Sequence, residues 1–184
     1  MNSLLINFVE CKELPCHSSR YLGTPAIPEK WLDEDIFDDD DIFICQINLE
    51  ELIEFNVPGK KEGMLYFFIN LEKGQGKVLL SNEAKLLKVD FNDYDKYVNI
   101  DKNYKINFEP NSEVYIDGTK LFGTPVENND FNSEEDLLLL QIDTLHDNNV
   151  FMNDKDYIFQ FIIKKTDFAK NNFSNTKLYI LTKI

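Results

Sequence analysis

The segment Leu22-Gly23-Thr24-Pro25 returns one hundred positions later as Phe122-Gly123-Thr124-Pro125, and the same two landmarks follow each copy. After the first come Ile44-Cys45-Gln46-Ile47-Asn48 and then Met64-Leu65-Tyr66-Phe67-Phe68-Ile69. After the second come Leu139-Leu140-Gln141-Ile142-Asp143 and then Tyr157-Ile158-Phe159-Gln160-Phe161-Ile162. Three landmarks in one order describe an internal duplication. This predicts two related halves, about residues 1–91 and 104–184, in a single pseudo-symmetric domain spanning 1–184, with a seam where a site can lie. It supplies no chemistry.

Local pattern predicts which pieces are strands. Ile42 to Ile47 and Asp136 to Ile142 are nearly continuous apolar runs, as in strands buried on both faces. Ser3 to Val9, Met64 to Leu71, Lys85 to Phe91, Asp156 to Ile163 and Lys177 to Leu181 also read as strands. Lys73-Gly74-Gln75-Gly76 reads as a hairpin turn returning through Lys77 to Leu80. Asp117-Gly118, a tight-turn dipeptide, lies between Glu113–Ile116 and Lys120–Phe122. Cys11 to Trp31, broken by Pro15, Gly23, Pro25 and Pro28, is expected to be irregular. Asn48 is placed to cap a short helix over Leu49 to Ile53, and Thr166 one over Asp167 to Lys170. Asn92 to Asn111 is polar and reads as the connection between halves. The sum is a sheet-rich α+β fold.

Charge narrows the partners. The net charge is −14, with Arg20 the only arginine, so no basic groove exists for nucleic acid and no basic face for an anionic membrane. A basic protein partner suits such a surface. The run Asp33 to Asp41, with Asp38, Asp39, Asp40 and Asp41 together, is its densest acidic patch and the expected partner face. The start of the chain lacks the basic and long apolar regions of a signal peptide. Three cysteines (Cys11, Cys16, Cys45) form no evident disulfide framework, so the expected compartment is the cytoplasm.

These landmarks resemble the YwqG-like family of uncharacterised bacterial proteins. The carrying residues are Ser19-Arg20-Tyr21-Leu22-Gly23-Thr24-Pro25 with Pro28 and Trp31, then Gln46-Ile47-Asn48-Leu49 and Gly63-Met64-Leu65-Tyr66-Phe67-Phe68. In the second half they are Gly123-Thr124-Pro125, Leu138 to Asp143, and Phe173-Ser174-Asn175. Leu22-Gly23 and Phe122-Gly123 stand where the family usually has Gly-Gly, and Phe151-Met152-Asn153-Asp154 replaces a Trp-Gly-Asp-like segment. The resemblance implies a duplicated sheet-rich fold and no reaction. Association of some relatives with toxin and immunity gene neighbourhoods implies protein binding.

Gln46 and Gln141 are the most unusual residues, because each is an amide inside a core-like run and must find partners for its carbonyl and its NH2 group. Each can pin the Gly-Thr-Pro turn of its own half to the sheet. Alternatively the pair faces the seam and, with Asp143, Arg20 and Trp31, lines a small-molecule or metal-ion site, that of an enzyme included. Gly74-Gln75-Gly76-Lys77 lacks the upstream glycine and the following Ser or Thr of a phosphate loop. Cys11, Cys16 and His17 would need Cys45 as fourth ligand to hold zinc, and the acidic run has no glycine for a calcium loop. His17 and His146 sit in no nucleophile or metal motif. The expectation is a binding protein without a catalytic residue, a metal or a cofactor.

Overall fold

The computed structural model describes residues 3–89, 102–112, 117–145 and 156–182. Ten strands form one antiparallel sheet. In chain order these are β1 (Ser3–Cys11), β2 (Arg20–Tyr21), β4 (Ile42–Asn48), β5 (Met64–Asn70), β6 (Gln75–Ser81), β8 (Asn103–Asn111), β9 (Lys120–Leu121), β10 (Asp136–Asp143), β11 (Tyr157–Lys164) and β12 (Lys177–Thr182). β3 (Ala26–Pro28) and β7 (Leu86–Lys88) pair separately as a two-stranded ribbon.

The fold is mainly β, which corrects the α+β expectation. Among the described residues helix is limited to short 3-10 turns, the longest at Leu49–Phe55, and one four-residue α-helix, α1 (Lys165–Phe168). The reason lies in the sequence between strands, where no segment carries the sustained 3.6-residue apolar period of a packed helix. Asn48 caps the 3-10 turn as expected, its side chain accepting from the Glu50 N–H at 3.0 Å. Thr166 does not cap α1, because the helix starts at Lys165, two residues ahead of the expected Asp167, with Lys164 at the N-cap.

The sheet runs β12-β11-β10-β9-β1-β8-β2-β4-β5-β6 and curls until its two ends approach, giving a nearly closed barrel. Its centre is an exchange. β1 lies between β8 and β9, and β8 lies between β1 and β2, so each half's first strand sits beside the short strand of the other half. Ile6 N–H donates to Thr119 O at 3.0 Å, and Ile106 N–H donates to Ser19 O at 3.3 Å. The β1–β8 register is symmetric about Asn7 opposite Asn107.

Asn103–Asn111 is therefore a central strand, where the sequence reading placed a connection. Its Tyr104 and Ile106 are buried and alternate with exposed Lys105 and Asn107, the pattern of a strand covered on one face. The segment Cys11 to Trp31 likewise contains β2 and β3. The expected strand Glu113–Ile116 lies outside the described residues, as do His146 and Phe151 to Asp154.

β4, β5, β10 and the centre of β11 are buried on both faces. Inside the barrel, residues such as Ile44, Ile47, Leu65, Phe67, Leu139 and Phe161 belong to one core. Outside it in the first half, Phe43, Met64, Tyr66 and Phe68 form a second core with Ile27 and Trp31, supplied by the chain that crosses over the sheet. A register irregularity between Phe43 and Cys45, repeated between Leu138 and Leu140, shifts the alternation just before each glutamine.

Candidate functional site

Each Gly-Thr-Pro turn is held by the same set of bonds. Leu22 and Gly23 have φ of 54° and 67°, and Phe122 and Gly123 have φ of 60° and 82°, so both turns pass through two successive left-handed residues. That geometry costs a leucine or phenylalanine strain that a glycine avoids, and persists only where surrounding contacts hold it.

The glutamines supply those contacts. Gln46 Oε1 accepts from Ala26 N–H at 2.8 Å, and its Nε2 donates to Cys16 O at 2.8 Å and Ser18 O at 3.0 Å. Gln141 Oε1 accepts from Val126 N–H at 3.0 Å while its Nε2 donates to Gly118 O at 2.8 Å. The buried cation at the start of each turn does the rest. Arg20 Nη1 donates to Thr24 O at 2.9 Å, and Lys120 Nζ donates to Thr124 O at 2.7 Å.

A third pair was not foreseen from sequence. Tyr66, opposite Gln46, donates its hydroxyl to Ala26 O at 2.9 Å; Gln160, opposite Gln141, donates to Val126 O at 2.6 Å and to Gln141 Oε1 at 3.1 Å. Gln160 carried the same signal as Gln46, a lone amide in an apolar strand.

Of the residues expected at the seam, Arg20 and Gln46 stand opposite each other, and Trp31 packs edge to face on Tyr66 at 5.0 Å. Gln141 and Asp143 lie in the other half, with β9, β1, β8 and β2 between their strand and that of Gln46. Asp143 accepts from Leu145 N–H at 3.2 Å and its own N–H donates to Thr119 Oγ1 at 3.0 Å. The structure thus gathers three of these five residues, and the amide groups of both glutamines are engaged within their own halves.

The acidic run divides in two. Asp41 is buried, takes the Asp38 N–H at 3.0 Å, and is ion-paired to Lys77, whose Nζ also donates to Ile36 O at 2.6 Å. Asp38 pairs with Lys73 at 2.9 Å, and that hydrogen bond holds its carboxyl below the usual range. Asp39 and Asp40 remain exposed. Among the described residues no group of three or more His, Cys, Asp or Glu could hold a metal ion, and no helix is long and apolar enough to cross a membrane.

A cleft of about 290 Å3 opens at the ends of β4, β5 and β6. Glu50, Glu62 and Glu83 surround it, with His17, Asn48 and Asn82 between them. The fold builds its walls from caps: Asn48 Nδ2 donates to His17 O at 2.9 Å, and Ser81 Oγ accepts from Glu83 N–H at 3.1 Å. Glu83 also meets Lys30 at 2.7 Å, while Glu62 is 3.8 Å from Lys60 and stays largely exposed. Sequence reading missed this cleft because its carboxylates come from three separate turns.

No protein-family model matches the chain, and no curated protein matches it.

Proposed function

We propose that this is a cytoplasmic, non-enzymatic binding protein that masks a basic protein partner, in the manner of an immunity protein, and seats a lysine or arginine side chain of that partner in the Glu50–Glu62–Glu83 cleft. The observation that carries the reading is the gathering of three carboxylates around one concave site in a chain of net charge −14. A concave acidic site focuses the field of the whole surface on an approaching cation and speeds its encounter. The YwqG-like resemblance, with its protein-binding implication, points the same way. The expected acidic face at Asp38 to Asp41 is the weaker half of this reading, since Asp41 is buried against Lys77, whereas Glu50 and Glu62 are exposed beside the Lys30-paired Glu83.

The test uses defined probes. An oligo-arginine peptide is titrated into the full-length protein while amide chemical shifts are recorded at low and high salt. Shifts centred on His17, Asn48 and Asn82 that weaken with salt are expected, together with loss of binding in the combined Glu50→Gln, Glu62→Gln, Glu83→Gln variant. Undiminished binding by that variant excludes the cleft. Loss in an Asp39→Asn, Asp40→Asn variant instead moves the contact to the acidic run.

A further inference from the structure

The 3-10 turn Leu49–Phe55 has three residues per turn, so side chains three apart stand one above the other. Burial follows that period. Leu49 and Leu52 are buried and Phe55 packs on the same core, so this row holds the turn to the barrel. A second row, Glu51 and Glu54, starts with a carboxylate whose Oε1 accepts from Ser19 N–H at 3.1 Å. The third row is Glu50 and Ile53, and both are exposed.

Glu50 is the carboxylate of the cleft that the fold leaves open. Glu83 meets Lys30 at 2.7 Å and Glu62 lies 3.8 Å from Lys60, whereas Glu50 has no ion-pair partner among the described residues. A partner's cation therefore finds in Glu50 a carboxylate it need not share. Ile53, at 55%, is the most exposed large apolar side chain among the described residues. One exposed isoleucine is ordinary; its place is not. It stands one turn beyond Glu50 in the same row, about 6 Å along the axis at about 2.0 Å per residue. The turn carries Glu50, Glu51 and Glu54 and no basic residue, so the apolar side chain is ringed by negative charge. That combination complements a segment that is both cationic and apolar.

We propose that the Glu50–Ile53 row is a two-point docking surface for a basic amphipathic segment of the partner protein, with a lysine or arginine on Glu50 and an apolar side chain on Ile53. The proposal rests on the cleft reading and narrows it. The partner is not merely basic; it carries an apolar residue one 3-10 turn's length from its cation. Residues i and i+2 of a strand meet that spacing, as do i and i+4 of a helix. Salt weakens the contact at Glu50 and leaves the contact at Ile53 in place.

Two peptides of equal length and charge test it. Each has six arginines; one carries three leucines and the other three serines at the same places. Both are titrated into the full-length protein by calorimetry at low and high salt. The leucine peptide is expected to bind roughly fivefold tighter, the gain from covering about half of an isoleucine side chain. That ratio should hold at high salt while both affinities fall. Ile53→Ser should remove the preference and Ile53→Leu should keep it, both variants folding as the wild type by circular dichroism. Equal affinities of the two peptides for the wild type, or a preference that survives Ile53→Ser, overturn the proposal and leave the cleft reading standing. Binding of neither peptide at low salt refutes the cleft reading, and this proposal with it.

Discussion

Phe67 on β5 and Phe161 on β11 meet edge to face inside the barrel, with ring centroids 5.2 Å apart and an interplanar angle of 76°. They hold corresponding places in the two halves, as Asn7 and Asn107 do at the middle of the β1–β8 pair. Aromatic pairs in this arrangement contribute about 0.5–1.5 kcal/mol beyond their buried area. The contact ties the two outer hairpins together where the sheet's ends come close.

Gly76 makes that closure fit. A Cβ there would lie 2.8 Å from the Phe161 ring and 2.9 Å from Leu178 Cβ, so Gly76→Ala overpacks the junction of β6 with β11 and β12. A loss of about 1–3 kcal/mol is expected, read as a lower urea midpoint. Gly74→Ala is the control for space, as nothing lies within 4 Å of its Cβ position. Its φ of 61° adds only the local strain of a turn residue. Equal midpoints for Gly76→Ala and the wild type would mean the ends of the sheet do not pack.

Removing either glutamine amide strips a left-handed turn of its anchor. Gln46→Leu leaves Ala26 N–H and the carbonyls of Cys16 and Ser18 without their partner. Unsatisfied buried groups cost about 1–3 kcal/mol, and Gln141→Leu should lose stability likewise through Val126 N–H and Gly118 O. Urea unfolding of each variant checks both values. A seam-lining role would instead leave stability nearly intact.

Exchange of first strands makes the halves interdependent. A fragment of residues 1–101 lacks β8, which separates β1 from β2, and should show no cooperative unfolding by circular dichroism. The fragment 102–184 lacks β1 and should behave the same. Mixing the two should restore β structure, because every missing pairing is supplied in trans. Cooperative folding by either fragment alone would contradict the exchange.

Lys120 gives an alkaline signature. Burial lowers its pKa to about 8, against about 10.4 in the unfolded chain. Between these values the unfolded state binds more protons, so the Lys120 contribution to stability rises with pH across this window. Cys45 and Tyr66, whose pKa values burial raises, act in the opposite sense above their unfolded values. The Lys120 effect is therefore read as a difference. Stability of the wild type relative to Lys120→Met should increase from pH 8 to pH 10, and a difference independent of pH would refute the low pKa.

How much of this was legible depended on whether burial was one-sided. Strands covered on both faces announced themselves as apolar runs, and Ile42 to Ile47 and Asp136 to Ile142 lie within β4 and β10. β8 hid among its polar neighbours, since only alternate positions meet the core and Pro110 sits near its end. Gln46 and Gln141 stood out because an amide in such a run demands partners. Those partners are turn backbone groups that composition cannot reveal. The cleft was invisible for a different reason: Glu50, Glu62 and Glu83 are ordinary surface carboxylates until the turns bring them round one hollow.

The exchanged first strands make this chain the covalent counterpart of a two-fold dimer that swaps its amino-terminal strands. In such a dimer, assembly would depend on protein concentration, and every side chain would appear twice. Joining the two copies makes the encounter intramolecular, so stability no longer falls on dilution. It also frees each copy to mutate alone. One turn can thus start from an arginine, Arg20, while its twin keeps a lysine, Lys120, an asymmetry that no homodimer could encode.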